Sequence, residues 1–106
     1  MIKVTMSKNK NGDYNGVCMD GHAGYGEFGQ DIVCAAVSAL FINTVNSIET
    51  FTEDSFRLDE DAKNDRVEFV LTSEISPETS LFMKSLLLGL QGIEEEYGKK
   101  YIKVLF

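Results

Sequence analysis

The chain has 106 residues, 43% of them hydrophobic and 25% charged, with a single histidine, two cysteines and a formal charge of -7. That length suits one domain, 1–106, able to bury a modest core without metal or disulfide staples, and the composition argues against a disordered or fibrous chain. The negative balance argues against sequence-independent binding to phosphate backbones, which needs clustered Lys and Arg; a basic protein is the easier partner.

No apolar run approaches the roughly 20 residues that cross a bilayer. The opening "MIKVTMSKNKNGDY" also lacks the apolar core and cleavage site of a signal peptide, so a cytoplasmic protein with no membrane partner is expected. In such a reducing compartment Cys18 and Cys34 are expected as free thiols.

"MIKVTMS" alternates, with Ile2, Val4 and Met6 on one side and Lys3, Thr5 and Ser7 on the other, which predicts a half-buried strand. Asn11-Gly12 predicts a hairpin turn in which both central residues take positive φ. "YNGVCMDG" then returns with Val17 and Met19 on one face, and the two strands should pair antiparallel.

From Ile32 to about Thr50 the spacing lengthens: Val33, Val37, Leu40, Phe41, Thr44 and Ile48 share a face, which predicts a helix. Asp31 is placed to cap it. "SFRLDEDAKNDRVEFVLTSE" predicts a second hairpin, with Phe56 and Leu58 inward, an acidic turn, then Val67, Phe69 and Leu71 alternating. The acidic stretch reads as solvated turn surface.

Ser76 followed by Pro77 is a strong helix start, and Gly98 supplies the stop. Between them Leu81, Phe82, Met83, Leu86, Leu87, Leu88, Leu90 and Ile93 spread over more of the circumference than one sheet contact uses. This helix is therefore either sandwiched inside the domain or partly covered by a second chain. "KKYIKVLF" predicts a last strand with Ile102, Val104 and Phe106 on one side. The order is ββαββαβ, an α+β domain with a mostly antiparallel sheet and two helices.

The stretch "GHAGYGEFGQDIVCAAVSAL" carries the chemistry. With the helix beginning just after Asp31, Cys34 falls in its first turn, where unpaired N–H groups and the macrodipole favour a thiolate. A neighbouring His22 imidazolium would lower the thiol pKa further and later protonate a leaving amine. The same N–H groups could receive an oxyanion. Asp31 either caps the helix or orients His22, and Ser38, one turn beyond Cys34, could hydrogen-bond at the back of the site.

Gly21, Gly24, Gly26 and Gly29 suggest a mobile flap carrying Tyr25 and Phe28 over the cleft. Each feature also has a plainer reading: a structural His, an inert Cys, an ordinary loop and an ordinary helix serine. A zinc site from Cys18, Asp20, His22 and Cys34 lacks the paired spacings of zinc motifs, so neither metal nor cofactor is expected. A thiol redox pair of Cys18 and Cys34 is a further alternative.

The stretch from Gly21 to Leu40 resembles the ribosomal-processing cysteine protease Prp family, with its G-H-A, its glycine-rich loop and its D-I-V-C-A-A-V-S. The resemblance implies an endopeptidase that removes the N-terminal extension of large-subunit ribosomal protein twenty-seven during bacterial ribosome assembly. It implies His22 as general base and acid, Cys34 as nucleophile, and Asp31 and Ser38 as supporting residues. It also implies a homodimer, and an apolar cleft that Tyr25, Phe28 or side chains of the second helix help line. The competing class is a non-enzymatic acidic ribosome-assembly binding protein.

Overall fold

A computed structural model describes residues 1–21 and 28–106, with side chains in the first helix described from residue 32 onward. The order is β1 (Ile2–Lys8), β2 (Tyr14–Asp20), α1 (Phe28–Phe51), β3 (Phe56–Asp61), a short 3-10 helix (Ala62–Asn64), β4 (Arg66–Leu71), α2 (Pro77–Tyr97) and β5 (Ile102–Leu105). The ββαββαβ reading and the α+β class hold.

The strands form one five-stranded sheet in the order β3-β4-β2-β1-β5. All neighbours are antiparallel except β1 and β5, which run parallel with Ile2 opposite Ile102 and Val4 opposite Val104. Alternation then decides the two faces. Ile2, Val4, Met6, Val17, Phe69, Leu71, Ile102 and Val104 join the buried core with Val33, Val37, Phe41 and Ile48 of α1 and Met83, Leu86 and Leu90 of α2. The opposite face carries Lys3, Cys18, Asp20, Arg57, Arg66 and Glu68, so the domain is two layers with both helices on one side. Phe69 sits at the centre, edge-on to Phe41 at 6.3 Å and 5.0 Å from the Phe56 ring.

Several expectations are corrected. The β1–β2 connection is longer than a two-residue turn: Asn9 N–H donates to Asp13 O, and the Asn9 side-chain oxygen accepts from both Asn11 and Asp13 N–H at 3.0 Å. Only Gly12 in it takes positive φ, +86°. An Asn side chain that satisfies the turn's backbone donors lets a wider loop compete with the tight one.

α1 begins at Phe28, four residues before the expected start. Its Ile32–Phe51 portion is 20 residues long with a mean hydropathy of 1.5, long and apolar enough by composition to cross a bilayer, contrary to the sequence reading. Here that apolar character is spent in the core: Val33, Val37, Phe41, Val45 and Ile48 are buried, while Asn43, Asn46 and Glu49 face outward.

α2 starts and stops as expected. The Ser76 hydroxyl accepts from Thr79 N–H at 3.2 Å, Pro77 occupies the first turn, and Gly98 N–H donates to Glu94 O at 2.8 Å. It is not sandwiched, because Leu81 and Leu88 remain 66% and 72% exposed on the side away from the core. Leu58 and Phe106 also lie further out than expected, 39% and 69% exposed, and Phe106 falls just beyond the end of β5.

Candidate active site

Residues of β1, β2, the N-terminal half of α1 and the β3–β4 turn enclose a cleft of about 250 Å³. Cys34 and Ser38 line it from α1, four residues apart on one helical face, with Val37 beside them. Ile2, Met19 and Val67 supply apolar surface from the sheet, and Gly21 forms the rim where β2 ends. The fourth wall is polar, made by Glu60, Asp61, Asp65 and Arg66 around Ala62.

Cys34 is half-buried and packs against the core, whereas Ser38 is exposed at the mouth. Gly21 precedes His22 in the chain, so the polypeptide leaves β2 for the single histidine from the edge of the thiol's own cleft. His22, Gly24, Tyr25 and Gly26 lie outside the described residues, as do the side chains of Phe28 and Asp31; Gly29 is described only as part of α1.

The earlier helix start changes the electrostatic argument. Cys34 is the seventh residue of α1 and so belongs to its second turn. The unpaired N–H groups of a helix belong to its first four residues, and the dipole's influence falls off within that turn. Asp31 lies inside the helix, where a capping residue does not sit, although an acidic residue so near the N-terminus still suits the dipole. Gly21 is anchored across the cleft. Its N–H donates to Asp65 O at 2.9 Å, which ties the end of β2 to the β3–β4 turn.

The second thiol lies elsewhere. Cys18 is on the sheet face without helices, donating to Asp20 Oδ2 at 3.7 Å beside Arg66 and Glu68 of β4. Partial burial pushes its pKa up, Asp20 adds to that by charge and by accepting the thiol's hydrogen bond, and Arg66 opposes it. The sheet separates Cys18 and Asp20 from Cys34, and both cysteines are free; among the described residues no group of three His, Cys, Asp or Glu side chains could hold a metal ion.

The polar wall was missed in the sequence, where "DEDAKND" read as solvated turn. It reaches the cleft because Asp20 pairs with Arg66 and Gly21 bonds to Asp65, which brings the β3–β4 turn to the end of β2. Within that wall the Asn64 side chain and then its backbone N–H donate to Asp61, holding its carboxyl below the usual range and keeping it anionic.

A two-layer α+β domain with a helix-borne thiol opening into a partly apolar cleft offers the nucleophile and the recess that a thiol hydrolase needs. The family model described as Cysteine protease Prp matches residues 1–103. The Ribosomal processing cysteine protease Prp of Staphylococcus aureus (strain NCTC 8325 / PS 47) is 36% identical over 99 residues, covering 93% of each chain. Its namesake in Bacillus subtilis (strain 168) is 30% identical over 101 residues, 92% of this chain and 90% of that protein. The crystal structure of the S. aureus protease with a covalently linked product peptide superposes with a TM-score of 0.87 at 35% identity, over 99% of this chain and 98% of that one. The complex of the S. aureus protease with a substrate peptide gives 0.88 at 35% identity, over 98% and 97%. The chain belongs to the cysteine protease Prp family, and it is a cysteine protease.

Proposed function

We propose that this protease removes the N-terminal extension of large-subunit ribosomal protein twenty-seven during bacterial ribosome assembly, with Cys34 as nucleophile and His22 as its acid–base partner. The observation that carries the reading is the cleft itself: Cys34 opens into about 250 Å³ whose rim is Gly21, the residue covalently joined to His22. A relative of similar fold bound to a covalently linked product peptide supports a peptide as occupant.

In this mechanism the Cys34 thiolate attacks the scissile carbonyl carbon, and the carbonyl π pair moves onto oxygen. His22, having taken the thiol proton, donates it to the departing amine as the C–N bond breaks, leaving a thioester on Cys34. Water, deprotonated by His22, then hydrolyses the thioester and frees the thiol. Asp31 and Ser38 serve as supporting residues, and Tyr25 and Phe28 contact substrate.

The apolar surface of Ile2, Met19, Val37 and Val67 suits a hydrophobic side chain next to the cleaved bond. The protease works in the cytoplasm as a homodimer, for which the exposed Leu81 and Leu88 of α2 offer apolar surface.

The test is intact-mass measurement of the extended ribosomal protein after incubation with the wild-type chain and with Cys34→Ala. Loss of the extension with wild type alone is expected. Cleavage retained by Cys34→Ala overturns the assignment, and salt-sensitive binding without cleavage by wild type favours an acidic binding protein instead.

A further inference from the structure

Gly21 is the point where the described part of β2 hands the chain to His22, and three independent features of the backbone meet there. Its φ is +79°, in the region that L side chains resist. Its N–H donates to Asp65 O at 2.9 Å. A Cβ placed on it would lie 2.7 Å from the carbonyl oxygen of Met1.

None of these neighbours yields easily. Met1 O belongs to the peptide whose N–H, on Ile2, donates to Tyr101 O at 2.9 Å, and the next residue, Lys3, is paired with Asp20 in the β1–β2 ladder. Asp65 is itself in the left-handed region, φ 51°, at the end of a 3-10 turn closed by its own N–H to Ala62 O and by Asn64 bonds to Asp61. Gly21 is therefore seated between the start of β1 and the β3–β4 turn, both of which also line the Cys34 cleft.

We infer that Gly21 is a positioning residue for the protease: its left-handed backbone, clamped between Met1 and Asp65, sets the direction in which the chain departs from β2 and so where His22 enters relative to Cys34. This rests on the Cys34–His22 reading above. A methyl group at this position meets the Met1 carbonyl oxygen, and relieving that contact turns the backbone at the residue from which the chain goes on to His22.

The molecule contains its own control. Gly12 has nearly the same φ, +86°, but a Cβ there meets nothing within 4 Å, and its turn lies at the other end of β2. Both Ala variants carry the same intrinsic backbone penalty, and only Gly21→Ala meets the clamp.

The experiment compares wild type, Gly12→Ala, Gly21→Ala and His22→Ala by cleavage of a peptide spanning the junction between extension and mature ribosomal protein. A second readout is the pH dependence of iodoacetamide alkylation at Cys34. Gly21→Ala should lose at least about 100-fold in kcat/KM, mostly in kcat, as misplaced reacting groups do. Its alkylation profile should move to that of His22→Ala, while circular dichroism shows a folded chain. Gly12→Ala should stay within about twofold of wild type.

If Gly21→Ala does not fold, glycolate at position 21 decides. It is introduced by joining a synthetic 1–33 segment to one beginning at Cys34; it removes the N–H donated to Asp65 without adding a side chain, and weakens the Asp20 carbonyl as an acceptor. A reduced kcat and an altered alkylation profile are then expected. Wild-type kcat and alkylation in whichever variant folds overturn the inference alone. Wild type with neither cleavage nor a His22-dependent alkylation profile overturns the Cys34–His22 reading as well.

Discussion

The Cys18 thiol donates to Asp20 Oδ2 across 3.7 Å on the sheet face that carries no helix. Burial first, and the Asp20 carboxylate second, hold this thiol protonated, and the thiolate is the nucleophilic form. Cys18 is therefore expected to alkylate more slowly than Cys34 near neutral pH, and Cys18→Ala to keep full cleavage. In a Cys34→Ala background, Asp20→Asn should speed alkylation of Cys18 at fixed pH, because it removes the opposing charge. Mass mapping of iodoacetamide adducts against time checks all three.

The close approach of the two helices rests on Gly89, where a Cβ would lie 2.7 Å from Leu40 Cδ1; at Gly92, one turn on, nothing lies within 4 Å. Ala at either site gains about 1 kcal/mol of helix propensity over Gly. At Gly92 that gain is unopposed, and Gly92→Ala should raise the melting temperature by about 4–8 °C for a domain of this size. At Gly89 part of that gain goes to displacing a Leu40 methyl, the far end of a flexible, half-buried side chain. Gly89→Ala should therefore raise the melting temperature less than Gly92→Ala does, with thermal denaturation followed by circular dichroism as the measurement.

Asp54 ties the end of α1 to the start of α2, its Oδ2 accepting from Ser76 N–H at 2.9 Å and from the Ser76 hydroxyl at 2.8 Å. Desolvation alone would raise its pKa, but bonds from Thr79 and Ser76 outweigh that and lower it. A carboxyl whose folded pKa is depressed adds stability that is present above its unfolded value, about 3.9, and is lost as pH falls through the folded one. The stability gap between wild type and Asp54→Asn should thus be widest above about pH 4 and shrink below it. Urea denaturation at stepped pH tests this, and a gap that grows on acidification would contradict it.

What could be read from the sequence was local in origin. The alternation of Ile2, Val4 and Met6, and of Val67, Phe69 and Leu71, is a period-two pattern that any half-buried strand must show, and all these residues except the partly buried Val67 are fully buried. Ser76, Pro77 and Gly98 marked the ends of α2 because caps act over a few bonds. The start of α1 was not legible: Gly29 weakens helix propensity locally, yet the helix runs through it from Phe28. The Asn11-Gly12 turn was likewise outcompeted by the longer loop that Asn9 organises.

The element order and most of the core faces follow from residue type and spacing alone, because periodicity and capping are properties of short segments. Tertiary structure decided the rest. The strand order β3-β4-β2-β1-β5 carries the β3–β4 turn to the end of β2, brings Asp61 and Asp65 into the cleft that Cys34 lines, puts Cys18 across the sheet from it, and seats Gly21 against Met1. Those contacts join residues far apart in the chain, and only the burial of one shared apolar face chooses among the many pairings the strands could otherwise make.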